Sequence, residues 1–117
     1  QQSKLANVLF ANELARRFQA QGISVTSNSL HPGVIPTNLG RQQFLKGKAL
    51  LNVFKDRGEE EGAATSVYCL TATSLEGVTG RYFKDCTPSQ PSASAADPQT
   101  AKRLWERSEE LVAMIPA

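Results

Sequence analysis

QQSKLANVLFANELARRFQAQGISVTSNSLHPG, residues 1–33, makes three structural statements in succession. Residues 1–21 are rich in Leu, Ala, Glu, Arg and Gln and contain no Gly or Pro, which favours one long helix. Leu5, Val8, Leu9 and Phe18 give it a partial apolar stripe, widened by Phe10 and Leu14. A helix with so much apolar circumference is buried on more than one side, within a domain or against another subunit. Arg16 and Arg17 lie near its C-terminal end, where cations suit the helix dipole, and Gly22 is a natural stop. Residues 23–30 open with β-branched side chains and predict a short strand. His31-Pro32-Gly33 then turns the chain. Helix, strand and a Pro-Gly loop at the strand's carboxyl end suit an α/β protein, and such loops are where α/β folds place ligands.

Outward from this stretch the pattern repeats. Pro36 follows too soon for a regular element in residues 34–39. Residues 40–58 mix Phe44, Leu45, Leu50, Leu51, Val53 and Phe54 with Lys46, Lys48, Lys55 and Arg57, which predicts one or two short basic amphipathic helices. Such a segment suits a membrane surface, the cover of an apolar substrate, or plain packing. Residues 59–74 predict a helix with Glu59, Glu60 and Glu61 in its first turn. Ala63, Ala64, Val67, Leu70 and Thr71 share one face of it, and their small sizes suit close approach to a sheet. Residues 78–83 (VTGRYF) predict a last strand, and residues 88–96 an exposed loop. Asp97-Pro98 is a helix start, with Ala101, Leu104, Trp105, Leu111, Val112 and Ile115 as the apolar stripe and Pro116 as the stop. Helices alternating with strands predict a parallel sheet. Two strands make a poor one, so the pattern fits the C-terminal part of a larger doubly wound domain.

Composition narrows the function classes. The chain has 117 residues, enough for one domain, with 40% hydrophobic and 21% charged residues and a formal net charge of +2. That charge is too small and too dispersed to indicate nucleic acid. No apolar run nears the roughly 18 residues that span a bilayer. Cys69, Cys86 and the single His31 have no metal-ligand spacing, and reduced packing cysteines fit a cytoplasmic protein better than a disulfide. The only methionine is Met114, so residue 1 reads as an internal start.

Three pieces carry a resemblance to a known family. Gln2-Ser3-Lys4-Leu5-Ala6-Asn7 looks like the tail of a Tyr-x-x-x-Lys motif. Leu30-His31-Pro32-Gly33-Val34, with Thr37 and Asn38 after it, looks like a Pro-Gly loop of the same family. Gly80-Arg81-Tyr82-Phe83, Asp85-Cys86 and Leu104-Trp105 look like its C-terminal end. In order and spacing they resemble the short-chain dehydrogenase/reductase family, in its retinol-dehydrogenase-like branch. The resemblance implies that residues 1–117 are the C-terminal segment of one Rossmann-like domain whose dinucleotide-binding half lies upstream.

It further implies hydride transfer between NAD or NADP and the carbon of a small alcohol or carbonyl compound, an apolar one being compatible with segment 40–58. Lys4 would be catalytic, its tyrosine partner falling just before residue 1, and would also bind the nicotinamide ribose. A lysine beside a tyrosine lowers the phenol pKa, and a spacing of four places both on one helix face. Pro32, Gly33, Val34 and Thr37 would complete the cofactor contacts. Tyr68 and Tyr82 stand in the wrong elements to replace the missing tyrosine, and His31 reads as structural. Helix 1–21 is a frequent dimer contact in the family and a candidate homodimer contact here. Without the resemblance, Lys4 is an ordinary solvated lysine and Pro32-Gly33 a plain turn. The alternative to an enzyme segment is a non-catalytic fragment or helix-mediated association module. The 117 residues alone are expected to be inactive.

Overall fold

The computed structural model describes residues 2–33 and 59–115. Helix α1 (Gln2–Ala20) leads to strand β1 (Ser29–His31). Helix α2 (Glu59–Thr71) and a 3-10 turn (Thr73–Leu75) lead to strands β2 (Tyr82–Lys84) and β3 (Thr87–Ser89). A second 3-10 turn (Ala93–Ala95) then precedes helix α3 (Pro98–Ala113). The segment 40–58, Val34, Thr37 and Pro116 lie outside the described residues.

The ends of α1 and α3 form as their residues dictate. Gly22 takes φ +67°, and Ile23 N–H reaches back to the Phe18 carbonyl (2.9 Å) while Gly22 N–H reaches that of Gln19 (3.2 Å). These two bonds satisfy carbonyls that the last helical turn leaves open. At α3, the Asp97 carboxylate accepts from the Gln99 and Thr100 N–H groups, and Pro98 enters the first turn where no N–H is needed.

The described sheet is mixed, a parallel pair with an antiparallel strand added. Its order is β1-β2-β3, with β1 and β2 parallel (Leu30 opposite Phe83) and β2 and β3 antiparallel (Phe83 opposite Pro88). The expected loop 88–96 thus contributes the end of a third strand. Its two-residue turn, Asp85-Cys86, has φ +50° and +55°, the left-handed pair that matches hairpin twist. Neither residue is Gly or Asn, so the usual signal was absent. The first strand is also shorter than residues 23–30. Val25 N–H bonds the Ile23 carbonyl (2.9 Å), which bends the chain. Beyond it, side chains join backbone bonds between the two segments: Gly80 N–H donates to the Ser27 carbonyl (2.8 Å), Ser27 N–H to Thr79 Oγ1 (2.9 Å), Asn28 Nδ2 to the Val78 carbonyl (2.8 Å), and Arg81 N–H to Asn28 Oδ1 (2.9 Å).

Among the described residues the core is Leu9, Ala11 and Ala15 of α1, Ala95, Ala101 of α3 and the fully buried Phe83. Gly80 (φ +68°) lies beside α1, where a Cβ would make an ordinary contact (3.6 Å) with that of Ala15. Helices α1 and α3 pack together, with Phe10 stacked on Trp105 (5.2 Å, 13°) and the Arg17 guanidinium over the Trp105 ring (4.5 Å). The expected apolar stripe of α3 is buried only in its first half; Leu111, Val112 and Ile115 are exposed. Helix α2 departs further. Ala63, Ala64, Val67, Leu70 and Thr71 are exposed, and Thr65 is buried.

Candidate functional site

Lys4 sits in the first turn of α1 with an exposed side chain. It lines a cavity of about 470 Å³ together with Leu5, Val8, Tyr82, Pro91 and Ala95. Leu5 and Val8 of α1 give it apolar lining, and Ser92 and Ser94 add polar groups. Tyr82 reaches this wall because it alternates with Phe83 along β2, one side chain to each sheet face. Nothing in the local sequence signals that Tyr82 shares a cavity with Lys4, since the two are joined only by the packing of α1 beside the sheet. Tyr68, by contrast, stands on α2 and meets Phe83 edge-on (6.0 Å).

The Pro-Gly loop leaves the carboxyl end of β1. His31 Nδ1 accepts the Gly33 N–H (2.8 Å), and Gly33 has φ +87°, open to glycine but strained for other residues. His31 therefore braces the turn. Pro32 is exposed and Gly33 partly so. The residues lining the Lys4 cavity include none of 31–33. Of the residues singled out from sequence, Lys4, Pro32 and Gly33 are described.

A second cavity, about 310 Å³, lies between α1, the hairpin and the start of α3. Its walls carry Glu13, Arg16, Arg81 and Asp97. Glu13 is buried and accepts from Arg16 Nε and Nη2 (2.8 and 2.6 Å) and Arg17 Nε (2.8 Å). The Arg16 hydrogen bonds outweigh the desolvation of burial and, with Arg17, lower the Glu13 pKa to about 2. Those bonds hold the carboxylate in its charged form, an anchor and not a proton donor.

A dinucleotide is the group that the resemblance implies. Its nicotinamide end calls for a cation at the ribose hydroxyls and a backbone that a ring can approach closely. The exposed Lys4 ammonium and the glycine turn at Gly33 have that chemistry. The Gly33 N–H is already engaged by His31, so the loop's amide donors would come from beyond it.

These features define an α/β protein with a lysine at the head of the helix that feeds a parallel strand, and a Pro-Gly loop at that strand's end. The chain is 45% identical over 118 residues to short-chain dehydrogenase TIC 32 B, chloroplastic, of Brassica napus, covering 98% of this chain and 37% of that protein. It is 44% identical to human retinol dehydrogenase 14, over 97% of this chain and 34% of the relative. It is 46% identical to the WW domain-containing oxidoreductase of Gallus gallus, over 94% of this chain and 27% of the relative. No family model matches. The chain is thus a relative of short-chain dehydrogenases and retinol dehydrogenases along nearly all its residues, and spans about a third of the length of the first two relatives. No described helix is long and apolar enough to cross a membrane.

Proposed function

We propose that this chain is the C-terminal part of the catalytic domain of an NAD- or NADP-dependent oxidoreductase acting on an alcohol or carbonyl compound. The observation that carries the reading is the 44–45% identity to dehydrogenases over 97–98% of the chain. The parallel pairing of β1 and β2 supports a doubly wound sheet, since parallel strands need crossover connections and neighbours. The retinol dehydrogenase relatives favour an apolar alcohol such as retinol as substrate.

In this reading Lys4, Pro32, Gly33, Val34 and Thr37 hold the nicotinamide end of the cofactor. The cofactor, when bound, supplies or accepts the hydride. Lys4 donates to ribose hydroxyls and orients the ring. Its positive charge also favours the phenolate of a tyrosine one helical turn before it, contributed by sequence upstream of Gln1. A free phenol, with a pKa of about 10, is a poor base near neutrality, and a neighbouring ammonium brings it nearer. Pro32 and Gly33 form a wall that excludes water beside the ring.

The test is oxidation of retinol by the full-length protein, followed by the appearance of NADH or NADPH. Lys4→Ala is expected to lower turnover about a hundredfold or more, in the range lost when proton transfer is no longer assisted. Near-normal turnover would remove Lys4 from the catalytic set. The 117 residues alone are expected to be inactive and to show no tight NADH or NADPH binding by fluorescence titration. Micromolar affinity in this chain would contradict the division of the site between two parts of a longer domain.

A further inference from the structure

The hairpin turn places Cys86 against Thr65 of α2, the helix that also carries Cys69. Thr65 is 3% exposed, and its Oγ1 accepts the Cys86 N–H (3.3 Å). The Cys86 Sγ lies 3.9 Å from the same oxygen. Cys69 follows Thr65 by one helical turn, so its side chain stands beside Thr65 on the same face. Both cysteines are free thiols and half-buried, within reach of a small reagent. Cys86 also occupies the second central position of the turn at φ +55°, a conformation that favours Gly or Asn and costs a cysteine steric strain.

We propose that Cys69 and Cys86 form a dithiol site that a peroxide closes into an intrachain disulfide, pinning the β2–β3 hairpin to α2. The chemistry balances as a two-electron oxidation. The Cys86 thiol loses its proton, and its sulfur attacks the peroxide; an S–O bond forms, the O–O bond breaks, and the departing hydroxide takes up the proton as water. The Cys69 sulfur then attacks the sulfenic sulfur and gives up its own proton. The S–S bond forms, the S–O bond breaks, and a second water leaves. Two thiols are oxidised and one hydrogen peroxide is reduced to two waters. Burial, and secondarily the neighbouring Cys86, push the Cys69 thiol pKa up, which suits Cys69 to the resolving role.

The experiment treats the reduced full chain with hydrogen peroxide, alkylates under denaturing conditions and maps tryptic peptides by mass. The expected product is peptide 58–81 joined to peptide 85–102, two mass units below their sum, in a chain that migrates as a single copy without reductant. In Cys69→Ser, a sulfenic acid should persist at Cys86 and be trapped by dimedone. In Cys86→Gly, which keeps a residue suited to the turn, Cys69 should react with peroxide at least about tenfold more slowly than Cys86 does in Cys69→Ser. Full alkylation of both cysteines after peroxide, or linkage only between chains, would overturn the proposal. So would equal dimedone labelling of Cys69 in Cys86→Gly.

Discussion

Glu13 shows what one buried residue can do. It is 2% exposed on a helix that the sequence marks as mainly apolar, yet three guanidinium N–H groups converge on its carboxylate. Arg16 and Arg17 follow it by three and four positions, the spacings that share a helix face, so the cluster is built within α1. Its folded pKa of about 2 lies below the ordinary 4.5. The stabilisation is therefore fully present above 4.5 and is lost as pH falls from there through about 2. Urea titrations across that window should show unfolding free energy declining with pH in the wild type. Glu13→Gln should flatten that decline, and Glu13→Ala should cost about 2 kcal/mol at neutral pH, the scale of lost charge-assisted hydrogen bonds. An unchanged pH slope in Glu13→Gln would show that other carboxylates carry the dependence.

At the scale of the element, α2 is the informative case. Periodicity assigns its inner face to Ala63, Ala64, Val67, Leu70 and Thr71, yet Leu70 is 85% exposed and Thr65 is buried. The reason is a backbone group elsewhere. The tight turn at Cys86 presents an N–H that no strand partner takes, and Thr65 supplies the acceptor. Tyr68, on the same side, meets Phe83 edge-on, which fixes the rotation of the helix. The two faces make opposite predictions for thermal and denaturant unfolding of this chain. Leu70→Ala should change stability by less than about 0.5 kcal/mol, as for ordinary surface positions. Thr65→Val should cost about 1 kcal/mol by leaving the Cys86 N–H without its partner.

For the whole molecule, Phe83 is the hub. Among the described residues it is the bulkiest fully buried side chain, on the central strand of three, with Tyr68 of α2 against its ring. Much of the remaining described core is alanine, while Ile23, Val25, Val67, Leu111, Val112, Met114 and Ile115 present exposed large apolar side chains. Phe83→Ala should cost about 4 kcal/mol, the range for an aromatic removed from a packed interior. Because Phe83 joins the sheet to α2, that loss should also abolish a cooperative urea transition. A transition that stays sharp, with its midpoint little changed, would mean that the contact of α1 with α3 holds the fold independently of the sheet.

The amino-acid sequence by itself determined the elements whose ends are built from neighbouring residues. Gly22 ends α1, Asp97 and Pro98 start α3, and His31-Pro32-Gly33 turns the chain after β1, because each signal acts within one turn of backbone. It also carried the likeness to dehydrogenases, which resides in the identity and order of side chains. Only the tertiary structure decided the mixed sheet, the rotation of α2, the burial of Glu13, the cavity that Tyr82 and Lys4 line together, and the contact of Cys86 with Thr65. Each of those depends on groups far apart in the chain satisfying one another's hydrogen bonds or filling one another's space. No local periodicity records such a partnership.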